Sequence, residues 1–262
     1  MNCLEKYRSK LIRTINRDLG AIVATPDENA VHDFRVGIKR LTALYYFLNE
    51  IDNNLNARGL LKPYRPLFKS LGNIRDSHIA VHLIQDLDQL NPQHSAIMIK
   101  ALNSKLGRDY RQFQKYSQTE NRLSIRMPTI RATGISERTI LRYKPVVLTN
   151  LLQQILSTPQ KMNDTRWHKK RILLKRYHHK LDAFCFCPGH VSDERELKHI
   201  TMLEQLLGDW HDRVITAELL QSLPELETTS RATIATMKQQ DRLLLGSAKI
   251  YLRKYAIWHS GR

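Results

Sequence analysis

The feature that most constrains this chain is a repeat that runs without a gap for about eighty residues at an offset of 136. His32-x-x-Arg35-Val36-x-x-Lys39-Arg40 falls on His168-x-x-Arg171-Ile172-x-x-Lys175-Arg176. Leu71-Gly72-x-x-Arg75-Asp76 falls on Leu207-Gly208-x-x-His211-Asp212. Lys6-Tyr7-Arg8 meets Arg142-Tyr143-Lys144, Leu61-Lys62 meets Leu197-Lys198, and Leu83 and Leu87 meet Leu219 and Leu223. Rare residue types stay in step, which chance matching of unrelated helices would not give. The chain is therefore expected to hold one structural unit twice, and its 262 residues are enough to bury a core.

The periodicity is helical nearly everywhere, with few Gly and Pro. Helices are expected near 2–22, 27–52, 57–90, 93–117, 138–157, 163–186, 193–221 and 225–258. The fold class is accordingly all-α: two four-helix bundles of antiparallel long helices, related by duplication and a pseudo-twofold axis. Residues 1–120 form the first repeat and 138–262 the second. The Ser-, Thr-, Pro- and Gly-containing stretch 121–137 joins them as a linker. Thr25-Pro26-Asp27-Glu28 reads as a capping box with Thr25 as N-cap and Glu28 reaching back. Asn91-Pro92 and Leu223-Pro224 read as helix breaks.

On a helical wheel with His32 at zero, Arg35 lies at roughly −60°, Lys39 near −20° and Arg40 near +80°. Phe34, Ile38, Leu41, Tyr45 and Leu48 occupy the opposite side. In the second copy His168, Arg171, Lys175 and Arg176 oppose Leu174, Tyr177, Leu181 and Phe184. Val36 and Ile172 sit within the basic faces, so those faces are expected to line a partly covered groove. Arg gives bidentate contacts to phosphate oxygens, Lys a mobile point charge, and His one or two donors. A site present twice suits a ligand that itself repeats. In the second motif Gly72 and Gly208 are expected to permit close helix approach. Asp76 and Asp212 are expected to orient cations. Arg75 and His211 either extend the basic surface or pair with those carboxylates.

The net charge is +17 and the pI near 9.9. Residues 1–130 hold 20 Lys and Arg against 12 Asp and Glu, and the remainder 22 against 13, so the halves carry +8 and +9. The charge belongs to the folded body rather than to a tail, and a polyanion is the expected partner. Cys3, Cys185 and Cys187 lack metal-site spacing and are expected to be reduced thiols in the cytoplasm. No signal peptide, membrane span or metal site is expected; His78 and His82 have i,i+4 spacing but no third ligand. His178-His179 reads as surface. No phosphate loop, Gly-x-Ser-x-Gly or nucleophile with its base is present, so the chain is expected not to be an enzyme and to need no cofactor.

These residues resemble the CHAD family, the conserved histidine α-helical domain, through His32–Arg40, His168–Arg176 and Leu71–Asp76. The resemblance implies a non-catalytic pair of four-helix bundles with a central basic groove that binds inorganic polyphosphate. The groove residues would be His32, Arg35, Lys39, Arg40, Arg75, His168, Arg171, Lys175, Arg176 and His211. Association with polyphosphate granules follows as an expectation. The family's further Arg beyond each Lys/Arg-Arg pair is replaced here by Thr42 and His178. The CYTH-type triphosphatase often joined to this domain has no counterpart in these residues. Two other readings are non-specific nucleic-acid binding and a helical scaffold for an acidic protein. The aromatics of both motif helices fall mainly on the apolar face, which disfavours base stacking.

Overall fold

A computed structural model describes residues 3–52, 54–87, 91–119, 123–130, 133–157, 162–187 and 194–260. The described residues form helices α1 (Cys3–Ala24), α2 (Glu28–Ile51), α3 (Ala57–Leu61), α4 (Arg65–Gln85), α5 (Pro92–Thr119), α6 (Glu137–Leu156), α7 (Asp164–Cys185), α8 (Glu194–Gln221) and α9 (Arg231–Ser260). Short 3₁₀ turns occupy Lys62–Tyr64 and Pro224–Leu226. The class is all-α. Among these residues no helix is long and apolar enough to cross a membrane.

Helix starts follow from side-chain capping. Asp27, not Thr25, caps α2: its Oδ1 accepts from the Ala30 amide at 2.9 Å. Glu28 does not reach back to complete a capping box; its carboxylate turns outward to Arg75 and His82. Asn163 caps α7 in the same way, accepting from the Arg166 amide at 3.0 Å. At its end α6 is closed by Lys170, whose Nζ donates to the carbonyls of Gln154 (2.5 Å), Ile155 (2.6 Å) and Ser157. One buried ammonium thus satisfies carbonyls that a helix end leaves without partners.

The single helix expected over 57–90 is broken. Pro63 and Pro66 lack amide hydrogens and their rings clash with a preceding turn, so α3 passes through a 3₁₀ turn into α4. The aligned stretch of α8 carries no proline and runs straight through. Elsewhere the offset survives in the element bounds: α2 begins at 28 and α7 at 164, while α4 ends at 85 and α8 at 221. At Tyr7 and Tyr143 it does not. Tyr7 is buried against Phe186, whereas Tyr143 is exposed.

Packing joins α1 to α2, α4 to α5, α6 to α7 and α8 to α9, and then α2 to α7 and α4 to α8 across the middle. The main core runs through both halves, from Leu4, Phe34 and Tyr45 to Trp167, Phe184 and Tyr255. A second cluster joins Ala80, Ile84 and Met98 to Leu220, Leu226 and Met237. Within the expected linker, residues 123–130 are a pinned strap. Ile125, Met127 and Ile130 are buried. Asn16 exchanges two hydrogen bonds with the Ile125 backbone, Arg8 donates to the Met127 carbonyl, and Glu5 accepts from the Ile130 amide. The backbone polar groups of an extended segment need partners, and α1 supplies them.

The expectation of three reduced thiols is corrected: Cys3 and Cys187 form a disulfide with Cα atoms 5.2 Å apart, and Cys185 is free. The residues are separated by 184 positions, and only the packing of α1 beside the end of α7 brings them together.

Two helical glycines differ in what surrounds them. A Cβ at Gly37 would sit 2.6 Å from Cγ1 of the buried Ile15, so α1 and α2 meet there backbone to side chain. A Cβ at Gly208 meets nothing within 4 Å, which removes close helix approach as its reason. Gly208→Ala is therefore expected to stabilise the protein by up to about 1 kcal/mol through helix propensity. Gly37→Ala should destabilise it by about 1–3 kcal/mol through overpacking. Denaturant midpoints of the two variants check the contrast.

Candidate functional site

Where α2 crosses α7, both basic faces turn toward one another. Arg35, Lys39, Arg171 and Lys175 are half-buried there, together with Asp76 of α4 and His211 and Asp212 of α8. A cavity of about 550 Å³ runs along this seam, and Lys39, Arg171, Lys175 and Arg176 line it.

Burial pushes the Lys39 ammonium down to about 7, helped by the charges of Lys175, Arg35 and Arg171 and opposed by Asp76. Burial likewise lowers Lys175, with Arg171 beside it, and lowers both arginines. His211 is pushed to about 3 by burial and by Arg171, His168 and Lys175. Burial raises the carboxyls of Asp76 and Asp212 against the pull of Arg35 and Arg171 respectively, and Asp212 adds to the rise at Asp76. Two carboxylates thus temper a cluster of cations without neutralising it.

What distinguishes these cations is their lack of partners. Lys39, Arg171 and Lys175 make no hydrogen bond or ion pair with a described residue, and Arg171 Nε is buried without an acceptor. Leaving a buried charged donor unmatched costs on the order of 1–3 kcal/mol or more. Arg35 is held in place: Nη1 donates to the Phe68 carbonyl at 2.9 Å, and the guanidinium lies 4.4 Å from the Phe68 ring centroid. Gly72 makes this possible, since a Cβ there would fall 2.7 Å from Arg35 Nη1. The glycine makes room for a cation rather than for a neighbouring helix.

The other residues singled out in the sequence are used differently. Arg40 donates from Nε to Asp182 of the opposite half at 3.1 Å. Arg75 pairs with Glu28 at 2.6 Å, not with Asp76. His32 and His168 are exposed and do not line the cavity; His32 lies beside Asp33 at 3.0 Å, and the His168 ring lies 5.2 Å from that of His211. Arg176 is exposed on the cavity wall. His178 is not a free surface residue: it bonds Glu204, which raises its pKa, and lies 3.6 Å from Asp182. His82 is taken by Glu28 and His78 lies against Tyr110. Among the described residues no three His, Cys, Asp or Glu side chains group to hold a metal.

Reading the sequence missed two residues that shape this site, Tyr46 and Asp182. Both fall at roughly −40° on their wheels, on the basic face about four turns past the motif histidine, where the signal was available. Tyr46 is exposed on the cavity.

The model of the CHAD domain matches residues 6–221. The chain belongs to the CHAD domain family. The crystal structure of the CHAD domain from the plant Ricinus communis is similar, with a TM-score of 0.66 over 95% of this chain and 90% of that one at 16% identity. PptA from Streptomyces chartreusis gives a TM-score of 0.60 over 98% of both chains at 13% identity. At such identities the likeness concerns the fold. No curated protein sequence matches the chain. In this CHAD domain the Arg35, Lys39, Arg171 and Lys175 quartet from the two halves meets on one seam, clear of direct carboxylate contact among the described residues.

Lys39 should report this environment directly. In a side-chain NMR titration its Nζ is expected to lose its proton near pH 7, far below an ordinary lysine. Lys175→Met removes the largest like-charge repulsion on Lys39 and should move that midpoint upward; an unmoved midpoint would contradict the cluster.

Proposed function

We propose that this chain binds inorganic polyphosphate along the α2–α7 seam and carries out no chemistry on it. The observation that carries the reading is the quartet Arg35, Lys39, Arg171 and Lys175: half-buried cations from both halves, three of them with no acceptor among the described residues. A linear chain of phosphates presents acceptors at short regular intervals, and successive phosphate oxygens would satisfy donors from α2 and α7 in turn. The anion would also offset the repulsion that holds Lys39 near 7. Membership of the CHAD family supports the same ligand class, because the resemblance through these motifs implies it. His32, His168 and Arg176 would extend the track at its rims. Arg40 and Arg75, already paired with carboxylates, would contribute through the general positive field.

The charge distribution supports a polyanion of any kind, but the quartet favours a slim one. A seam lined from both sides suits a single phosphate chain better than a duplex, whose phosphates lie on a broad convex surface.

Reversing one cation in each half tests the reading. Arg35→Glu with Arg171→Glu should weaken binding of long-chain polyphosphate at least ~100-fold at 0.1 M salt, about the loss expected when two phosphate contacts become repulsive. It should also flatten the dependence of log Kd on log salt, with helicity unchanged by circular dichroism. Arg40→Glu with Arg75→Glu should cost far less. Equal losses from the two pairs would mean that overall charge, not the seam, binds the anion.

A further inference from the structure

The two ends of the seam are not alike. At the offset of 136, Tyr46 corresponds to Asp182, Phe68 to Glu204, and Thr42 to His178. At the His178 end those residues form a closed polar network: His178 bonds Glu204, lies 3.6 Å from Asp182, and Asp182 accepts from Arg40 at 3.1 Å. Asp182 and Glu204 there repel an incoming anion, and Asp182 holds Arg40. At the other end rings take the place of the two carboxylates, and Thr42 takes the place of His178. Tyr46 is exposed there, and Phe68 and Ile172 stand with it on the cavity wall. Arg176, the counterpart of Arg40, is exposed beside them and has no carboxylate within ion-pairing distance among the described residues.

A purely inorganic chain has no use for apolar walls, and apolar surface left open to water is costly unless something covers it. An apolar hollow that runs directly into a row of half-buried cations matches a ligand with a flat ring at one end and phosphates behind it. The cavity volume of about 550 Å³ lies within the range of pockets that enclose small organic ligands. We infer that the Tyr46 end of the seam is a binding site for a nucleoside polyphosphate, its base against Tyr46 and Ile172 and its phosphates running inward to Arg171, Lys175 and Lys39. The site has one such end only, because Asp182 and Glu204 close the other. Specificity for the particular base does not follow, since a ring face and an aliphatic side chain accept any base.

The inference rests on the reading that the seam cations engage phosphate, and the test keeps the two apart. Titration calorimetry at matched salt compares adenosine 5′-tetraphosphate with inorganic tetrapolyphosphate, which carries as many phosphates and more terminal charge. The nucleotide is expected to bind about 10-fold more tightly, the order of gain when a single base stacks on an aromatic residue. Tyr46→Ala should erase that advantage while leaving the affinity for inorganic tetrapolyphosphate within about twofold, and Ile172→Ala should reduce it in part. Both side chains are exposed, so these variants should fold as the parent does. Equal or weaker binding of the nucleotide by the parent, with inorganic tetrapolyphosphate still bound, overturns this inference and leaves the polyphosphate reading standing. An advantage that survives Tyr46→Ala and Ile172→Ala together also overturns it. If neither anion binds, both readings fall.

Discussion

The structure depends on a costly arrangement: cations from two helices are brought face to face and kept partly from water. Arg35, Lys39, Arg171 and Lys175 repel one another across the α2–α7 seam, and burial adds to the penalty. Several features of the fold exist to hold this arrangement together. Phe68 and the space at Gly72 fix Arg35. Asp76 and Asp212 supply compensating charge from α4 and α8 without contacting the cations closely enough to neutralise them. Cores running through both halves, the strap at 123–130 and the disulfide from Cys3 to Cys187 keep the halves from separating. Across the same seam Lys180 bonds Glu50 at 2.7 Å, and Arg40 bonds Asp182. The chain therefore does form direct ion pairs between its halves, outside the central quartet.

Much of this could be read from the sequence because helical periodicity places residues reliably on faces. The wheel put Arg35 and Lys39 opposite Phe34, Leu41 and Tyr45, and those three are buried. What the wheel cannot give is the partner across a contact between helices distant in sequence. Arg40 and Lys39 are adjacent and equally basic, yet only Arg40 meets a carboxylate, because Asp182 of α7 lies beside it. For Arg75 the sequence leaves open a place on the basic surface or a pair with Asp76, and its partner is instead Glu28, 47 positions away. The pairing of Cys3 with Cys187 was hidden for the same reason. The break at Pro63 and Pro66 was different, since the local signal was present and periodicity on both sides overrode it. Thr25 was chosen as N-cap by its pattern, and Asp27, two residues later, holds the Ala30 amide instead.

The repeat explains what the halves share, and its departures explain how they differ. Gly72 is needed beside Arg35, while Gly208 has open space around it. Tyr46 and Phe68 at one end stand where Asp182 and Glu204 stand at the other. The seam has an acidic, internally bonded end and an open aromatic end.

The central claim is that the seam holds cations in want of an anion, and Lys39 tests it most directly. With its pKa near 7 in the free protein, Lys39 is largely neutral at pH 8. A bound polyanion favours the charged form and raises that value, so binding must take up a proton above pH 7, and affinity must fall as pH rises. Calorimetric titration with long-chain polyphosphate at pH 8, in two buffers of different ionisation enthalpy, measures that uptake. The account predicts net uptake of a sizeable fraction of a proton per bound site, absent in Lys39→Arg, which stays charged throughout. Binding without proton uptake, or with the same uptake in Lys39→Arg, would contradict it.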